Sequence, residues 1–136
     1  MKNLMKSALV MVLAVLMALP AVALEPLGQN KTVVGKLTAA RIADRIRREC
    51  DSIDARMIYA YSEARALKRD AEKQGYSSAQ IESFLDDKDE KARIYAAAED
   101  YLAEKGAKKG DAASFCAVGQ AELAAKSYIG SFLRAK

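Results

Sequence analysis

The stretch TAARIADRIRRECDSIDARMIYAYSEARALKRDAEKQG, Thr38 to Gly75, contains no proline and no internal glycine. Ile42, Ile46, Cys50, Ile53, Met57, Tyr61, Ala64 and Leu67 recur at intervals of three or four, which lays them along one helical stripe. Thr38 supplies an N-cap and Gly75 a C-cap glycine. The run is long for a globular helix, so the Asp51-Ser52 region either passes through it, kinks it or breaks it. Cys50 lies in the stripe and is expected to face inward.

Downstream segments repeat the pattern. Ser77 or Ser78 caps a segment with the apolar face Ile81, Phe84 and Leu85, with Glu82 placed to assist from the first turn. Asp86 to Glu90 form either a corner or the surface of a continuous helix. A further segment runs to about Glu104, with Ala92, Tyr95, Ala96, Glu99 and Leu102 along one side, and Gly106 stops it. Asp111 caps the next helix, whose inward face is Phe115, Cys116, Gly119 and Leu123. Ser127 starts a last short helix that buries Ile129, Phe132 and Leu133. Gly119 and Gly130 permit close helix contact. Without strand alternation or a repeat, the expected class is all-α. It is a small bundle of four or five helical segments with one long N-terminal helix.

The beginning of the chain points to a compartment. Residues 1–23 carry Lys2 and Lys6, a short apolar run from Ser7 to Leu19, and Ala21-Val22-Ala23. This three-part order reads as a signal peptide cleaved after Ala23. The apolar run is short for a bilayer crossing. Residues 24–37 read as an irregular lead-in from which Val33 and Val34 pack inward, and residues 38–136 as one helical domain. Removing Lys2 and Lys6 takes away half of the full-length net charge of +4. A nearly balanced, exported chain gives no reason to expect nucleic acid.

The two cysteines, Cys50 and Cys116, lie in different inward faces and in an oxidising address. They are expected to form a disulfide that staples two helices. A free thiol pair is the rival reading. The chain has no histidine, so a Cys–His nucleophile, a histidine metal site and an imidazole base are excluded. Neither a glycine-rich phosphate loop nor a haem-attachment motif occurs. The carboxylates Asp86, Asp87, Asp89, Glu90, Glu99 and Asp100 are interleaved with lysines and read as a solvated surface. No enzyme activity, metal or cofactor is expected.

Two basic clusters remain as candidates for contact. Arg41, Arg45 and Arg48 share one side of the first helical stretch, and Arg65, Lys68 and Arg69 lie farther along it. Either could meet an acidic protein face or anionic headgroups. Tyr59 and Tyr61 differ by two positions and face different sides, and Tyr59 is the candidate contact anchor. Asp44–Arg48, Arg45–Glu49, Arg47–Asp51, Asp87–Lys91 and Asp89–Arg93 are spaced as surface ion pairs.

GDAASFCAVGQAELAAKSYIGSFLR, Gly110 to Arg134, resembles the end of a family of small exported alphaproteobacterial proteins of the Rhodobacter type, a family of unknown function. YAAAEDYLAEKG, Tyr95 to Gly106, is similar to it as well. These motifs are structural, so the resemblance implies no catalytic residue. In general design the chain also resembles periplasmic chaperones of the HdeA type, which are helical and carry a single disulfide. The expected function is that of a non-catalytic periplasmic or secreted interaction protein whose partner is another envelope protein. The alternatives are an acid-stress chaperone and a carrier of small apolar ligands. The sequence leaves the oligomeric state open.

Overall fold

A computed structural model describes residues 23–136. The expected signal peptide therefore lies, apart from Ala23, outside the described residues. Among these residues the structure is all-α, with six α-helices, a two-stranded sheet and a Cys50–Cys116 disulfide. Among the described residues, no helix is long and apolar enough to cross a membrane.

The first helix, α1 (Lys31–Glu49), starts earlier than expected, and the irregular lead-in shrinks accordingly. Asn30, not Thr38, is its N-cap. The Asn30 side chain accepts the Val33 N–H at 3.2 Å, and its amide donates to Gln74 Oε1 at 2.9 Å. Thr38 Oγ1 instead donates to the Val34 carbonyl within the helix. Thr32, Val33, Val34 and Gly35 have poor helix propensity, which hides this start in the sequence. A good cap and the burial of Val33 override that propensity. Among the described residues a 3-10 turn, Leu27–Gln29, precedes it, and the Tyr76 hydroxyl donates to the Glu25 carbonyl just before that turn.

Gly35 is exposed, and a Cβ added there would meet nothing within 4 Å. Gly35→Ala is therefore expected to stabilise the chain by about 1 kcal/mol, because alanine loses less backbone freedom in a helix. A urea midpoint that fails to rise would contradict this.

The Thr38–Gly75 run divides. α1 ends at Cys50, and Ile53–Ala55 form a strand, β1, before α2 (Met57–Lys73). β1 pairs antiparallel with β2 (Leu133–Ala135), with Asp54 opposite Arg134. Three residues per strand are too few to show alternation, so neither strand was visible in the sequence. The predicted stripe divides at the same place. Ile42, Ile46, Cys50 and Ile53 are buried, while Met57, Tyr61 and Ala64 are exposed.

The remaining helices are α3 (Ser78–Asp86), α4 (Lys88–Glu104), α5 (Ala112–Ala124) and the single turn α6 (Tyr128–Ser131). Ser77 caps α3 in a capping box whose partner is Gln80, at the N3 position, rather than Glu82. Asp87 caps α4 by accepting the Asp89 and Glu90 N–H groups, so residues 86–90 are a corner. α4 buries Ile94, Ala98 and Leu102, not the expected Ala92, Tyr95, Ala96 and Glu99. Tyr95 lies under the Arg41 guanidinium, 4.1 Å from ring centre to Cζ. The last segment stays helical only to Ser131 before β2 takes over.

α1 is the central helix. Its Ile42 and Ile46 pack with Ile53, Leu102, Phe115 and Phe132 around the disulfide. A second cluster joins Leu27 and Val33 to Ala71, Tyr76, Ile81 and Phe84. α5 approaches this core through Gly119, where a Cβ would fall 2.5 Å from Ile53 Cδ1 and 2.7 Å from Ile46 Cγ2.

Candidate functional site

α2 departs most from what its sequence leads one to expect. Of its residues only Ala71 is fully buried. Met57 is 56% exposed, Ile58 90% and Tyr61 70%. Met57 to Tyr61 is an unbroken apolar run, and successive helical residues turn about 100°, so the run cannot all face one core. Tyr59 and Ala60 take the inward side, leaving Met57, Ile58 and Tyr61 outside. Met57 and Ile58 border an open depression that also touches Tyr59, Ser62 and Arg134.

The next two turns of α2 carry Arg65, Lys68 and Arg69, all exposed. Among the described residues, none of these three cations has a carboxylate within 4.0 Å. α1 is the opposite case. Asp44 receives Arg41 at 3.1 Å, Arg47 at 2.7 Å and Arg48 at 2.9 Å. Arg45 lies between Glu49 at 2.5 Å and Glu99 at 2.6 Å. Hydrogen bonds to Glu49 and then Glu99 raise the Arg45 pKa above its usual value. The structure thus brings Arg41, Arg45 and Arg48 together with carboxylates that offset them. Arg65 and Arg69, among the described residues, make no such ion pair. The expected Arg47–Asp51, Asp87–Lys91 and Asp89–Arg93 pairs do not form. Asp87 is used as a cap, and Arg93 pairs with Glu90 instead.

Tyr59 is not the exposed anchor. Its ring meets Phe132 edge-on at 5.3 Å, its hydroxyl accepts from Ser131 Oγ at 3.1 Å, and Arg56 covers its other face. The exposed tyrosine of this pair is Tyr61.

Three of the carboxylates singled out in the sequence are engaged in holding the fold. Glu99 is engaged with Arg45 and Glu90 with Arg93, and Asp87 is capped into a helix start. The buried carboxylate is one the sequence did not single out. Glu122 accepts hydrogen bonds from the hydroxyls of Tyr101 and Ser127. It ties α4, α5 and the start of α6 together. Its place on the inward side of α5, next to Val118 and Gly119, was the one available signal. Among the described residues, no cluster of three or more cysteine or acidic side chains could hold a metal ion.

Burial, and then the hydrogen bond to Glu122, push the Tyr101 pKa up to about 12. Burial and Glu63 also raise Tyr128. An unfolded tyrosine ionises near pH 10, so each raised group stabilises the fold fully below about pH 10. That contribution is lost as pH climbs through the folded pKa. Wild-type stability is thus expected to fall between about pH 10 and 12, and Tyr101→Phe to flatten part of the fall. Urea midpoints at pH 8 and about pH 11 would check this, and equal slopes in both proteins would refute it.

A family model described as a family of unknown function, DUF5333, matches residues 25–134. No curated protein and no solved structure matches the chain.

Proposed function

We propose that this chain, which belongs to the DUF5333 family, is a non-catalytic interaction protein of the cell envelope. One observation carries the reading. An apolar stripe whose period suits a buried helix is left uncovered on α2, at Met57, Ile58 and Tyr61, beside cations that, among the described residues, have no carboxylate within 4.0 Å. Exposed aromatic and aliphatic anchors next to arginine are the composition of a protein-binding surface. Unpaired positive charge favours a partner with an acidic rim, and makes association faster at low salt. The disulfide supports an oxidising compartment, as does the signal-like order of residues 1–23.

The test is affinity capture from envelope extract with the oxidised protein, followed by titration of the captured partner. Ile58→Asp is expected to weaken binding at least about tenfold, since it puts a charge at the centre of the apolar patch. Arg65→Glu is expected to slow association and reduce its salt dependence. Ile58 is exposed, so both variants should melt like the parent. Unchanged affinity in both would remove α2 from the interface. Many weak partners that appear only at low pH would favour the chaperone reading instead.

A further inference from the structure

Below the exposed stripe, between α1, α2 and α3, lies an apolar cavity of about 150 Å³. Its floor is the buried set Val33, Ala71, Ile81 and Phe84, and its mouth is framed by Ala64, Lys68 and Leu85. The cavity follows from the sequence of α2. Between Tyr61 and Gln74 the apolar residues are Ala64, Ala66, Leu67 and Ala71, so a single large side chain faces two neighbouring helices. Alanine leaves unfilled the volume that leucine would occupy. A cavity of this size lined by aliphatic and phenyl groups has room for apolar matter about equal to one benzene ring, roughly the last five or six carbons of an alkyl chain, the rest of which would cross the mouth.

The mouth adds a second chemical element. Lys68 is exposed and, among the described residues, has no carboxylate within 4.0 Å. Its methylene stem can line the opening while the ammonium stays in water. Leu85, 43% exposed, extends the apolar surface on the opposite rim. Hydrocarbon inside and one unpaired cation at the rim form a two-part site.

We propose that this cavity binds the alkyl end of a free aliphatic carboxylate, with the carboxylate paired to Lys68. The site adjoins the α2 contact surface but does not depend on it, because it is assayed with purified components. Failure of either reading leaves the other testable.

The experiment is calorimetric titration of the oxidised protein with decanoate below its micelle threshold, with decanol and decyltrimethylammonium as neutral and cationic counterparts. One saturable site is expected for decanoate, at least tenfold weaker for decanol and weaker again for the cation. Lys68→Glu is expected to cost decanoate at least tenfold and to leave decanol unchanged. Ala64→Leu, on an exposed position at the mouth, is expected to abolish binding of both without lowering the melting temperature. Absence of saturable binding, equal affinity for decanoate and decanol, or indifference to both variants would overturn the proposal. Sedimentation with phosphatidylglycerol vesicles in the absence of decanoate binding would overturn it too, and would assign α2 to a membrane surface.

Discussion

Replacing Cys50 and Cys116 together by alanine is expected to lower stability by about 4 kcal/mol and the melting temperature by roughly 15 °C. The two cysteines are 66 residues apart, with Cα atoms at 5.1 Å. The cross-link removes conformations from the unfolded chain, and the loop it closes spans α2, α3 and α4. A chain of this size has a modest core, so such a constraint is a large share of its total stability. Alanine is the better replacement at Cys50, which is fully buried in the main cluster, because it brings no polar atom there. The check is paired urea unfolding of parent and variant, with thiol titration of the unreduced, denatured parent. A loss under about 1 kcal/mol would mean that the reduced unfolded chain already brings these segments together. Free thiols in the parent would remove the staple altogether.

Gly130→Ala is the second large effect, expected to cost about 3 kcal/mol. A Cβ at Gly130 would fall inside contact distance of the Glu122 carbonyl, which is backbone at the end of α5. A flexible side chain could swing aside, but a helical carbonyl cannot. α6 must therefore lift from α5. That movement pulls Ser127 from Glu122 and carries Phe132 away from Tyr59. Gly119→Ala should be milder, because the atoms it meets, Ile53 Cδ1 and Ile46 Cγ2, belong to side chains rather than to backbone. Equal costs at the two glycines would show that α6 is docked less firmly than its contacts imply.

The helix ends were largely legible, because they are set locally. Gly75 and Gly106 sit at φ +106° and +97°, a region that glycine enters freely and other residues rarely do. Asp111 and Ser127 accept the Ser114 and Gly130 N–H groups as caps. What was hidden is set by distant partners. Nothing within Asp51–Arg56 forbids a helix. The break there comes from β2 and from Cys116, both far along the chain. The start of α1 was hidden for a related reason, since Asn30 is secured by Gln74. The candidate site was half legible. Arg65 and Arg69 were named from their spacing, but paired and unpaired arginines look alike in a sequence. Periodicity assigned Met57 and Tyr61 to the core, and the fold leaves them uncovered. Such a conflict between local pattern and final packing is where function is most often found.

The clasp between β1 and β2 also sets a timetable. Asp54 and Arg134 are 80 residues apart, and Lys136 N–H bonds the Ser52 carbonyl. A chain emerging from a ribosome or a translocation channel presents Cys50 and β1 long before their counterparts arrive. Until Cys116 and Leu133 have cleared the exit, neither the disulfide nor the strand pairing around residues 50–55 can close. Both closures therefore wait for residues 116–135, and the fold is completed from its last segment backwards.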